Sequence, residues 1–163
     1  MSVQKVREYL KQYGRDGDIV EHKASTATVE EAAAAFGVEP AQIAKTMAFH
    51  GKDGHVLLVL FAGDARADNH KFKTFFGCKS SMLKPDEVLR YTGHPVGGVC
   101  PFALPDESLV SVYLDISLKR FATVYPACGS GHTGIAVTPE DLFVLAHAQA
   151  WTDVGRDWRD SGT

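Results

Sequence analysis

Apolar residues Val3, Val6, Leu10 and Tyr13 recur at spacings of three and four, which describes one face of an opening helix closed by Gly14. Positions 18–22 read as a short strand. Thr28 and Glu31 stand as a capping box ahead of an alanine-rich helix that Gly37 ends, and Pro40 opens a further turn over 41–44. The run 45–50, the turn sequence 51–54 and the run 55–62 together predict a hairpin. Its second strand is apolar on both faces and belongs in the centre of a sheet. Asp68 caps a helix over 69–76 stopped by Gly77, and Pro85 opens another over 86–91 stopped by Gly93. Positions 93–101 are too rich in glycine and proline for regular structure. Strands are expected over 109–116, 121–125 and 135–137, and Thr138 caps a closing helix over 139–148. The stretch 151–163 reads as a polar tail that carries both tryptophans and frays at its end.

Strands and helices mix without strict alternation, and there is no internal repeat or linker. The reading is therefore one α+β domain over 1–163, with its core at about 3–148. A chain of 163 residues that is 45% apolar and 23% charged suits that reading and makes wholesale disorder a poor fit. Its formal charge of −3 excludes a uniformly basic nucleic-acid binder. A local patch survives the exclusion. Between Arg66 and Pro85 five basic residues (Arg66, Lys71, Lys73, Lys79, Lys84) face one acid, Asp68, with Phe72, Phe75 and Phe76 interleaved. The phenylalanines fit an amphipathic helix core, and the lysines can meet a phosphate backbone. The cysteines Cys78, Cys100 and Cys128 are odd in number and form no C-x-x-C, so a reducing cytoplasm is the expected home. The longest apolar run, 56–62, is far short of the roughly 20 residues a membrane-spanning helix needs.

Lys45 stands at the entrance of an apolar strand, where it either reaches solvent or presents a fixed ammonium to a phosphate, hydroxyl or carbonyl. In Gly97-Gly98-Val99-Cys100-Pro101 the paired glycines either make a sharp turn or let backbone N–H groups approach a ligand, with Pro101 stiffening the far side. No G-x-x-x-x-G-K-[ST], G-x-G-x-x-G or G-x-S-x-G occurs. Cys100 reads either as a small buried residue or as a thiol nucleophile served by His94. None of the seven histidines falls in a recognisable metal-ligand spacing, so no metal and no cofactor is expected. His132 lies in the polar turn Gly129-Ser130-Gly131-His132-Thr133-Gly134, of a kind that lines pockets or sits in solvent.

The run Ile43-Ala44-Lys45-Thr46-Met47-Ala48-Phe49 is followed about fifty residues later by Gly97-Gly98-Val99-Cys100-Pro101-Phe102. Then come a strand, the Gly/His turn and Thr138-Pro139-Glu140-Asp141-Leu142. In order and spacing these motifs resemble the YbaK/EbsC/ProX family, free-standing relatives of the editing domain of bacterial prolyl-tRNA synthetases. The resemblance runs from about Val3 to Ala148. It implies a mixed, barrel-like β-sheet surrounded by helices and hydrolysis of the ester that joins a wrong amino acid to tRNA. By resemblance, Lys45 contacts the terminal adenosine or the ester, and Gly97, Gly98 and Pro101 match the loop that shapes the pocket and offers N–H groups to the ester carbonyl. Thr46, Val99, Cys100, Gly131 and His132 fall at substrate-binding positions. The position of Cys100 often holds serine in relatives, which argues against a covalent intermediate. The cysteine-specific branch has an aspartate where Gly134 stands here.

The expected function is trans-editing of a small amino acid, alanine or cysteine on proline tRNA first, with serine and threonine open. The mechanism expected is metal-independent, and the partners are the acceptor end of aminoacyl-tRNA and a synthetase. Arg66, Lys71, Lys73 and Lys79 are the expected tRNA contacts. Two alternatives stay open: a non-catalytic module that binds tRNA, a nucleotide or a synthetase, and a thiol- or metal-dependent hydrolase built on Cys100.

Overall fold

The strand Val56–Ala62 has no polar side chain, and every one of its residues is buried. Such a strand needs apolar material on both sides, and the rest of the chain supplies it. The structure, a computed structural model, describes residues 2–158. Its elements are α1 (Ser2–Lys11), β1 (Val20–Glu21), α2 (Val29–Phe36), β2 (Ile43–His50), β3 (Val56–Ala62), β4 (Arg66–Ala67), α3 (Asn69–Phe76) and α4 (Pro85–Thr92). They continue as β5 (Val110–Asp115), β6 (Tyr125–Pro126), β7 (Thr133–Gly134), α5 (Pro139–Leu145), β8 (Ala150–Thr152) and β9 (Gly155–Arg156).

The main sheet has the order β6-β2-β3-β5-β8. Only β2 and β3, the hairpin, are antiparallel; β6 on β2, β5 on β3 and β8 on β5 run parallel. Side chains alternate across β3 as its two-residue period requires. Leu58 and Leu60 enter a larger core with Val6 and Leu10 of α1, Val88 of α4 and Leu142 and Leu145 of α5. Leu57, Val59 and Phe61 enter a second core with Phe49, Phe72 of α3 and Trp158. This is the mixed α+β sheet expected from the sequence. Beyond β6 the sheet continues through the bridge Ala127–Gly134 to the pair β7–β1.

The helix signals are met at their caps. Thr28 accepts from the Glu31 amide, Asp68 from Lys71 and Thr138 from Asp141. Gly37, Gly77 and Gly93 close their helices in the left-handed conformation. The closing helix is shorter than expected and ends at Leu145.

Three expectations are corrected. Positions 121–125 are not a strand; after β5 the chain forms a 3-10 helix, Ile116–Arg120, and its next strand is the two-residue Tyr125–Pro126. The cause is topological: from β5 the chain must cross the ends of β3 and β2 to reach the far side of β2, which leaves no length for a strand. Positions 135–137 likewise contribute only the bridge Val124–Val137, the paired residues being Thr133 and Gly134. Positions 151–158 are no polar tail. They supply the edge strand β8, the strand β9 against β4, and Trp158, which is buried in the second core. The expectation of fraying falls on 159–163, outside the described residues.

Asp115 fastens this last segment. It is fully buried at the end of β5, and its carboxylate accepts from the amides of Ser117 (3.1 Å), Val154 (2.9 Å) and Gly155 (3.1 Å). Charge-assisted bonds of this kind are the strong ones, and losing the acceptor strands three buried donors. Asp115→Ala is expected to lower unfolding free energy by about 3 kcal/mol in urea titrations. It should also speed hydrogen exchange at the Val154 and Gly155 amides; unchanged protection there would show that the carboxylate does not hold the segment.

Candidate active site

A cavity of about 200 Å³ opens beside the first half of β2, between the 26–29 segment that leads into α2, the 96–99 loop and the 125–127 segment. Its walls are mainly apolar, with Val29, Met82, Val99 and Tyr125 among them. Two hydroxyls in the wall have no partner: Thr26 Oγ1 and Thr46 Oγ1 are both buried and make no hydrogen bond. Buried hydroxyls are normally satisfied, and these two are the unmatched side-chain hydroxyls among the residues that line the cavity.

Lys45 enters the same wall from β2, opposite Phe61 of β3. Burial is the main reason its pKa falls below the usual lysine value; the nearby Arg66 charge lowers it further, against Asp64 and Glu30. No carboxylate lies within ion-pair distance of its ammonium among the described residues. A half-buried, unpaired cation at an apolar cavity is suited to an anion or a polarised carbonyl.

The glycine loop is shaped by close approach. The Gly98 amide donates to Pro95 O at 2.9 Å, and Gly98 O accepts from Gly129 at 3.0 Å. A Cβ at Gly98 would lie 2.4 Å from the Ser130 nitrogen, so only glycine lets the two turns touch. Gly98 therefore joins the loops, and its N–H, expected to face an ester carbonyl, is already used. The Gly97 and Val99 amides donate to no other described residue, and both residues line the cavity.

Of the remaining expected site residues, Gly131 and His132 stand behind the wall and position it. Gly131 O accepts from Thr26 N at 2.6 Å, His132 O accepts from His22 N at 2.7 Å, and His132 Nδ1 lies 3.1 Å from Ala24 O. Pro101 and Cys100 are buried outside the cavity. Cys100 Sγ lies 3.4 Å from His94 Nε2, but that nitrogen also bonds Phe102 O at 2.7 Å, and His94 Nδ1 pairs with the Ser2 hydroxyl. Burial pushes the Cys100 thiol up to about 12 and lowers the His94 pKa, so both groups are held neutral. A thiolate nucleophile needs the opposite on both counts.

The basic residues are not brought into one cluster. Arg66 is exposed on β4 beside Lys45, and Lys71 pairs with Asp153 at 3.3 Å and Gly155 O at 3.0 Å. Lys73 and Lys79 are exposed. Among the described residues no group of three or more His, Cys, Asp or Glu side chains is arranged to hold a metal, and no helix is long and apolar enough to cross a membrane.

Residues 23–145 match the family of the aminoacyl-tRNA editing domain. The chain belongs to that family. The editing domain is 48% identical over 158 residues to the protein YwhH of Bacillus subtilis (strain 168), recorded as uncharacterized, covering 97% of this chain and 99% of that one. It is 31% identical over 134 residues to a proline–tRNA ligase of Bacillus licheniformis, covering 82% of this chain and 23% of the ligase. The chain thus spans under a quarter of that ligase's length. In fold it matches a crystal structure described as a candidate trans-editing enzyme for prolyl tRNA synthetase, with a TM-score of 0.85 and 33% identity over 96% of this chain and 98% of that one. The relation to the prolyl-tRNA synthetase editing domain inferred from the Lys45 and glycine-loop motifs is therefore sound.

Sequence reasoning missed Thr26, Met82 and Tyr125 in the wall of the editing domain's cavity. Each comes from a different segment, and no local motif marks it. Thr26 had one faint signal, its place two residues before the Thr28 cap. The thiol assignments can be checked directly. Native protein should react with DTNB at one thiol, Cys78, which is partly exposed, and at three after denaturation. Two or three fast thiols in the native protein would put Cys100 or Cys128 within reach of solvent.

Proposed function

We propose that the protein is a trans-editing deacylase that hydrolyses the ester between a small amino acid and tRNA, with alanine or cysteine on proline tRNA first and serine or threonine next. The observation that carries the reading is a mainly apolar cavity of about 200 Å³ holding one unpaired, half-buried ammonium, Lys45, with the nearest thiol turned away into the core. A synthetase pocket rejects a slightly smaller amino acid by only about 1–3 kcal/mol, so a second site that admits the small product and excludes the larger one raises fidelity. An enclosed apolar wall sorts by size in this way.

In this mechanism Lys45 holds the terminal ribose or its phosphate and fixes the ester at the cavity mouth. The Gly97 and Val99 amides donate to the carbonyl oxygen as it becomes an oxyanion. A water attacks the carbonyl carbon, and the free hydroxyl of the terminal ribose relays its proton to the departing ribose oxygen. No protein nucleophile and no metal takes part; positioning supplies most of the rate. Thr26 and Thr46 offer their free hydroxyls to the amino group or a small polar side chain of the bound residue. The acceptor end of the tRNA is the part bound, and a synthetase is the natural source of the mischarged substrate.

The test is deacylation of tRNAs carrying alanine, cysteine, serine, threonine and proline, with alanine and cysteine also loaded on proline tRNA. Release of one or two small residues, unaffected by EDTA and by Cys100→Ala, is the expected result. Lys45→Ala should lower kcat/KM about 10- to 100-fold, the worth of one charge-assisted hydrogen bond, with the fold intact. Retained activity would remove Lys45 from the mechanism, and binding of tRNA without release of any residue would favour a binding module.

The pH dependence follows from the sign of the Lys45 shift. Its pKa is lowered, so the ammonium is fully present at neutral pH and is lost at a lower pH than an ordinary lysine would require. KM is expected to rise on the alkaline side before an unperturbed lysine would titrate, and Lys45→Ala should flatten that limb. An alkaline limb that persists in the variant belongs to another group.

A further inference from the structure

β4 and β9 form a two-residue antiparallel ribbon in which Arg66 and Arg156 are directly opposite partners. Directly opposed side chains on an antiparallel pair share one face and lie close together, and like charges there are destabilising. Both arginines are exposed, and neither guanidinium lies within ion-pair distance of a carboxylate among the described residues. The neighbouring acids are engaged elsewhere. Asp64 is held by Arg120 through two bonds, at 2.5 and 3.0 Å, and Asp68 caps α3 through the Lys71 amide while feeling Arg156 only at a distance. The ribbon is held rigidly, because the Asp115 carboxylate takes the Gly155 amide immediately before Arg156. Arg66 in turn is close enough to Lys45 to lower its pKa. A repulsive pair of cations is thus fixed on a ribbon whose Arg66 lies near Lys45.

We infer that Arg66 and Arg156 form a phosphate-binding pair that seats one phosphodiester of the strand whose 3′ end enters the cavity. Two guanidiniums side by side match the oxygens of one phosphate, and an anion between them turns their mutual repulsion into attraction. Arg156 lies outside the residues matched by the family, so the site is assembled by the last segment of this chain. The inference rests on the editing function only for the direction in which the strand enters.

The test uses an RNA hairpin that carries no amino acid and ends in a single-stranded CCA 3′ tail, with Kd read by fluorescence anisotropy at several KCl concentrations. Wild type is compared with Arg66→Gln, Arg156→Gln, the double variant and a control, Arg7→Gln, whose arginine pairs with Glu21 on another part of the surface. Each single variant should weaken binding about 5- to 10-fold and reduce the salt slope by about one; the double variant should reduce it by about two. The control should change neither. Because the substitutions relieve repulsion, the melting temperature should stay level or rise, which separates lost binding from lost fold. Equal slopes in wild type and the double variant, or a wild type that does not bind the hairpin at low salt, overturns the inference. Deacylation is not read in this assay. Arginine-dependent binding by a protein that releases no amino acid keeps the site and removes the deacylase, and the reverse pattern does the opposite.

Discussion

The structure depends on the burial of β3 from both sides. Seven consecutive apolar residues cannot face water on either side, so the chain must build two layers. One layer is made by α1, α4 and α5, and the other by α3 and the segment that ends in Trp158. Everything functional hangs on the neighbour of that strand. β2 is registered against β3 residue by residue from Ala44–Ala62 to His50–Val56, which sets where Lys45 and Thr46 emerge. A slip of one residue would exchange Lys45 with Thr46 and put the ammonium on the opposite face of the sheet.

Around that fixed strand the cavity is completed by segments distant in sequence and held by backbone contacts. The 129–132 turn clamps the 22–26 segment through two short main-chain bonds, and the same turn lies against Gly98. The polar groups left over are those without a protein partner: one ammonium, two hydroxyls and the amides of Gly97 and Val99. Asp115 with its three amides and His94 between Ser2 and Phe102 show buried polar groups that are fully engaged. A mainly apolar cavity with a few polar groups converging on it is the usual form of a small-ligand site.

Much of this was legible in the sequence wherever a local rule applies. Caps at Thr28, Asp68 and Thr138, glycine stops and the two-sided apolar strand are short-range signals, and each element they mark is present. The misreadings share a cause. Positions 121–125 look like a strand by composition, yet the path across the sheet ends consumes them. Positions 151–158 look like a polar tail because a three-residue edge strand and a two-residue ribbon show no periodicity. At the site, Lys45 and the paired glycines were visible as motifs, while the direction of Cys100, the occupied amide of Gly98 and the role of Thr26 depend on contacts across the fold.

Gly98 also has a consequence for how the family can diversify. The wall between its loop and the 129–132 turn has the thickness of a hydrogen atom, since even a methyl group would fall within 2.7 Å of three backbone atoms. The separation of the two turns behind Gly97 and Val99 is therefore set by a residue with no side chain. Selectivity for a larger or smaller amino acid cannot drift gradually at this position; it must be adjusted at facing residues such as Val29, Met82 or Tyr125, where one methylene at a time can be gained or lost.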